Sequence, residues 1–177
     1  MSQIVVGVGD CKTAREKDEV LVTYALGSCI AMTVYDPATA VGGMLHFMLP
    51  DSNIDPARRA ATPFKFADTG IPLLLTQVGN LGGLKRRLVV WITGGAQMMD
   101  ASGVFDIGKR NYQALRKILW KAGVLVHAEA VGGTISRTVR LEIATGRFLL
   151  REGGGVEREM TASSSAAKGE KSWHIVS

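Results

Sequence analysis

Only two cysteines and three histidines occur among the 177 residues. No two of them stand at the close spacing that a four-coordinate zinc site needs, so neither a metal nor a cofactor is expected. Cys11 and Cys29 could bridge in an oxidising compartment, but Met1 to Asp10 lacks the basic start and unbroken apolar core of a secretory leader. A reduced cytoplasm is the expectation. Long apolar runs are missing as well. Gly, Pro or charge interrupts each candidate within about ten positions, short of the roughly twenty needed to cross a bilayer, which argues against membrane insertion. The glycine pairs at 42, 82, 94, 132 and 153 lack both the phosphate-loop pattern and the Gly-x-Gly-x-x-Gly spacing. They read as turns and close backbone approaches. The formal net charge is +5, yet Arg58-Arg59, Lys85-Arg86-Arg87, Lys109-Arg110 and Arg116-Lys117 are small, scattered groups without interleaved aromatics. They read as solvated faces, and no nucleic acid is expected as partner.

What the chain does have is aliphatic content enough for one independent core, without disulfide support. Residues 19–26, 30–35 and 41–48 are rich in Val, Ile, Thr and Tyr and predict three strands. With turns at Gly27-Ser28 and at Asp36-Pro37, they form an expected β-meander. Helical spacing of Phe64, Ala67, Ile71, Leu74, Leu75 and Val78 predicts a helix over 63–78, delayed or kinked by Pro72. A wholly apolar strand follows at 88–93. A second helix is expected over 108–122, with Ile107, Tyr112, Leu115, Ile118, Leu119 and Ala122 as its stripe. Strands at 124–131, 138–144 and 148–150 complete an α/β or α+β sandwich. The reading is one domain over 1–152, a monomer, followed by a disordered Gly/Ser/Ala-rich tail over 153–177. Trp173-His174 is too isolated to carry a metal or a catalytic role.

The chemistry concentrates on Cys29 and His46. A free thiol titrates near ~8.5 and is mostly protonated at neutral pH, whereas an imidazole that takes its proton makes a competent nucleophile. His46 sits in an otherwise apolar strand, where an unpaired imidazole loses hydration unless it finds a partner. If the strands on either side of Asp36 pair, His46 approaches the Cys29 end of the sheet. Thr23, across the Gly27 turn, is within reach of a ring nitrogen and could fix its tautomer. Backbone N–H groups around Gly27, Ser28 and Cys29 are the candidate oxyanion donors for a bound substrate. His127 lies in an alternating stretch and is explained by a solvent-facing strand position.

Leu26-Gly27-Ser28-Cys29-Ile30-Ala31, the Asp-Pro turn and Gly42-Gly43-Met44-Leu45-His46-Phe47-Met48-Leu49-Pro50 together closely resemble the chemoreceptor glutamine deamidase family CheD. The likeness continues through Lys65-Phe66-Ala67-Asp68, Gly94-Gly95-Ala96 with Met98, and Ile107-Gly108-Lys109-Arg110-Asn111, ending near Arg151. It implies a three-layer α/β/β sandwich and a catalytic set at Cys29, His46 and Thr23. It also implies hydrolysis of glutamine side chains to glutamate on methyl-accepting chemotaxis receptors, through a thioester and with release of ammonia. The phosphatase CheC is a further partner in organisms that have it. The chain departs from the family's pattern at Ile92-Thr93 and at Val131, which is expected to alter partner-docking surfaces. Two alternatives stand beside this reading: a cysteine hydrolase acting on receptor methyl esters, and a non-catalytic chemotaxis adaptor.

Overall fold

Strands β4 (Ile30–Asp36) and β5 (Val41–Phe47) are buried along their whole length, which requires a layer against each face of their sheet. The computed structural model, which describes residues 1–97 and 106–161, supplies both layers. Around β4 and β5 the chain adds β1 (Ser2–Val5), β2 (Asp10–Ala14), β3 (Glu19–Leu26), α1 (Ala67–Asn80), β6 (Val89–Gly94) and α2 (Ile107–Ala122). It ends in β7 (Ala128–Val131), β8 (Arg137–Glu142), β9 (Phe148–Glu152) and β10 (Arg158–Glu159). One sheet has the order β1-β3-β8-β9-β10, the other β2-β5-β4-β6-β7. The pairs β1–β3 and β6–β7 are parallel, and the remaining pairs are antiparallel.

Side-chain alternation along the second sheet assigns each residue to a layer. Ile30, Met32, Val34, Leu45, Phe47, Val90 and Ile92 face the helices, packing on Ile71, Leu74, Leu115 and Leu119. Ala31, Tyr35, Met44 and Trp91 face the first sheet, packing on Leu21, Leu26, Val139, Leu141 and Phe148. The result is the expected three-layer α/β/β sandwich. Pro72 lies inside α1 without ending it. The turn between β4 and β5 is locked by Asp36, fully buried, whose carboxylate accepts from Ala38 N, Leu84 N and the Arg87 guanidinium. Burial opposes ionisation there, but Arg87 and the two N–H groups outweigh it and hold the carboxyl at about 2.

The meander is corrected in one respect. β4 and β5 do pair about the Asp36 turn, with Ala31 opposite His46 and Ile30 opposite Phe47, but β3 leaves for the other sheet, between β1 and β8. A bulge between Thr23 and Leu26, with Ala25 at φ 53°, bends the chain at this corner. β1 and β2 escape the sequence reading because each is a short strand at a sheet edge. Two other expectations change. Arg158 and Glu159 pair with Leu150 and Leu149, and Met160 is buried with its carbonyl accepting from Trp91 Nε1, so the expected tail is packed as far as this strand. Residues 162–177, with Trp173-His174, lie outside the described residues, as does Met98. Ile92 and Thr93 are fully buried, so that departure from the family's pattern changes packing rather than a docking surface.

Candidate active site

His46 is held on both sides. Its strand lies between β2 and β4, its register partners are Asp10 and Ala31, and its carbonyl accepts from Gly9 N at 2.7 Å. Ala31 also pairs with Thr93 of β6, so Thr93, Ala31 and His46 form one row across the sheet. Cys29 lies in the bend just before β4, two residues ahead of Ala31. Its side chain packs against the inter-sheet cluster that includes Ala31, Met44 and Trp91. The thiol and the imidazole therefore border one layer, that between the sheets.

Thr23 reaches this layer from the opposite sheet. Its Oγ1 lies 2.8 Å from His46 Nδ1 and donates to the Val6 carbonyl at 2.6 Å. These two contacts fix the imidazole tautomer. A hydroxyl has one proton, and with that proton committed to Val6 the oxygen can only accept, so Nδ1 carries the hydrogen. The Nε2 lone pair is left over. It is buried and has no hydrogen-bond partner among the described residues, a costly arrangement unless an incoming group uses it. The sequence placed Thr23 beside His46 across the Gly27 turn; the structure brings it there through the stacking of two sheets.

Electrostatics keep both groups neutral at rest. Burial pushes the His46 pKa down to about 4, only partly offset by the Val6 carbonyl. Burial also raises the Cys29 thiol, while its own amide N–H works in the other direction. Neither group is ionised at rest, so there is no preformed thiolate–imidazolium pair. Cys11 is a different case: its thiol points at Gln77 Oε1 and is pushed up to about 12, by burial first and then by Asp10. It is inert.

The low His46 value has a consequence for folding. An imidazole with a folded pKa of about 4 against 6.5 for the ordinary group binds fewer protons folded than unfolded, so its contribution is full above the unfolded value. It is lost as pH falls from about 6.5 towards 4, on the order of 3 kcal/mol in all. Urea titrations of the wild type at pH 7.5 and pH 4.5 are expected to show this loss, and His46→Gln should lack it; equal pH sensitivity in both would contradict the assignment.

The Cys29 loop is fastened by its carbonyls. Gly27 O accepts from Ala96 N, Cys29 O from Gly95 N, and Ser28 O from Asn111 Nδ2. Among the described residues the Ser28 and Cys29 N–H groups make no such backbone contact. Asn111 and the Val6 carbonyl were not singled out from sequence. Asn111 left a signal, because it falls midway between Ile107 and Leu115, in the buried stripe of α2, where a polar residue needs a reason. Val6 left none. His127 is half-buried, accepting from Val90 N at 3.1 Å, so its place is set by β6 and not by solvent. No group of His, Cys, Asp and Glu suited to a metal occurs among the described residues. No helix there is long and apolar enough to cross a membrane.

Comparison with known proteins bears on the whole chain. A family model described as CheD chemotactic sensory transduction matches residues 48–152. The probable chemoreceptor glutamine deamidase CheD of Solibacter usitatus is 63% identical over 92% of this chain and 96% of its own length. A Syntrophus aciditrophicus protein described in the same terms is 45% identical over 90% and 100%, and one from Pyrococcus horikoshii is 40% identical over 86% and 93%. The family match starts after Cys29 and His46, whereas these relatives align over most of the chain. Identity and coverage at this level place the chain in the CheD family.

Proposed function

We propose that this chain is a chemoreceptor glutamine deamidase, an enzyme that hydrolyses selected glutamine side chains of methyl-accepting chemotaxis receptors to glutamate. The names of its relatives give the substrate class, and the observation that carries the chemistry is His46 Nε2, buried without a hydrogen-bond partner among the described residues, in the inter-sheet layer against which Cys29 packs. The Cys29 sulfur attacks the side-chain carbonyl carbon as its proton passes to Nε2. The carbon–nitrogen bond then breaks, with the imidazolium protonating the leaving ammonia. Water, deprotonated by the same Nε2, cleaves the thioester and restores the thiol. Thr23 holds the ring in the required tautomer. Backbone N–H groups of the segment that includes Gly27, Ser28 and Cys29 receive the oxyanion.

The proposal extends to a cytoplasmic monomer acting on receptor helices, with CheC as a further partner where the organism has it. The test is mass spectrometry of purified receptor cytoplasmic segments after incubation with the protein. Discrete sites are expected to gain the increment of an amide-to-acid conversion, with ammonia and not methanol released. Protein first treated with iodoacetamide, which reaches half-buried Cys29 and not Cys11, should produce none. Receptor left unchanged by the untreated protein would refute the proposal; methanol release would move it to the ester.

A further inference from the structure

Asn111 is fully buried on α2, and both hydrogens of its side-chain amide are spent on the backbone around the site. Nδ2 donates to Ser28 O at 3.1 Å and to Met48 O at 3.0 Å. The first carbonyl immediately precedes Cys29; the second lies two residues beyond His46. One side chain therefore ties the strand entry that carries the thiol to the strand exit that carries the imidazole. Its Oδ1 is buried without a partner among the described residues, a cost that core packing alone would have avoided with leucine. Aspartate could not replace it in ionised form, since a carboxylate oxygen in the place of Nδ2 would face both carbonyl oxygens.

The geometry points to Asn111 as a positioning residue that sets up the oxyanion hole by orienting the Ser28–Cys29 peptide. A trans peptide is planar, and its C=O and N–H point in opposite directions; no cis peptide occurs among the described residues. Anchoring Ser28 O on the helix side therefore aims the Cys29 N–H away from α2, towards the sulfur and the layer where the carbonyl must bind. Gly27 O and Cys29 O are anchored too, by Ala96 N and Gly95 N. Three successive carbonyls are thus engaged, while the Ser28 and Cys29 N–H groups have no partner among the described residues and can serve an anion. As the sulfur–carbon bond forms, the carbonyl π pair moves onto oxygen, the thiol proton goes to His46 Nε2, and the Cys29 N–H meets the new negative charge.

This inference rests on the thiol reading above and is tested separately from it. Alkylation of Cys29 by iodoacetamide displaces iodide at a saturated carbon and develops no oxyanion, whereas deamidation does. Asn111→Ala is expected to lower kcat about 10²-fold, the usual loss for one oxyanion donor, with KM within about twofold and the alkylation rate and its pH profile unchanged. Undiminished kcat, or a parallel fall of alkylation and deamidation, would overturn the inference, the second outcome marking a general loss of site shape. The wild type provides a readout that needs no variant. A receptor peptide with an aldehyde in place of the side-chain carboxamide should add Cys29 sulfur as a hemithioacetal. The Cys29 amide proton should then shift downfield in NMR, while the Asn111 side-chain protons stay protected from exchange. An adduct with an unmoved Cys29 amide, or rapid exchange at Asn111, overturns the inference alone. A wild type that forms no adduct and deamidates nothing overturns the thiol reading beneath it.

Discussion

Cys29→Ala protein is expected to leave receptor glutamines unchanged over any practical incubation, and His46→Ala to retain about a thousandth of the wild-type kcat or less. In the proposed mechanism the sulfur is the atom that bonds to substrate, so its loss removes the reaction path. Loss of the imidazole leaves a thiol whose pKa burial has raised, without the base the proposed mechanism assigns to it. The usual contribution of a positioned acid–base group is about 10²–10⁴-fold, and His46 serves in all three proton transfers, which places it at the upper end. Misfolding should not account for the first effect, since Cys29 is only partly buried. His46→Ala also removes a buried ring and its Nδ1 contact with Thr23, so its loss of stability is measured beside its loss of activity. Ammonia release with purified receptor segments, beside urea titrations at pH 7.5, checks both points. A His46→Ala protein working at a tenth of wild-type speed would mean that another base serves the sulfur.

Gly94→Ala is expected to cost about 4 kcal/mol of stability and to remove activity even at temperatures where the protein stays folded. Gly94 has φ 107°, and a Cβ there would stand 2.2 Å from the Cys29 carbonyl oxygen and 3.2 Å from its carbon and from Ile30 Cα. These are backbone atoms in the strand that carries the nucleophile, so no side-chain rotation relieves the clash. Relief requires β6 to part from β4 at its Ile30–Gly94 end. That separation would break the Gly95 N to Cys29 O bond and shift the sulfur. By contrast Gly79, where a Cβ meets nothing within 4 Å, should accept alanine with little change. Urea titration and low-temperature kinetics of the two variants side by side measure the difference; equal stability would contradict the assigned clash.

Much of this was legible in the sequence because local pattern and tertiary role coincided. Residues 19–26 are rich in β-branched and aromatic side chains, predict a strand and form one over those residues. The stripe of α2 is carried by its own periodicity, and Gly123 ends it at φ 66°. Cys29 and His46 were visible because each is a rare residue in an apolar run. Thr23 was named, but the route to its partner was not, because no local signal says that a strand will join a different sheet from its successor. Val6 acts through a carbonyl, which every residue has. Asn111 required knowing which face of α2 packs over the Cys29 loop. Short β10 has too few residues for any period, and its order comes from Met160 and the Trp91 contact instead.

The ring that accepts the proton sits on one sheet, and the hydroxyl that sets its tautomer on the other. While the chain is still emerging or half folded, with its two sheets apart, the imidazole has no fixed tautomer and the sulfur no base aimed at it. In the proposed mechanism, competence therefore requires the two sheets to be docked, and a protein whose sheets have parted has lost it.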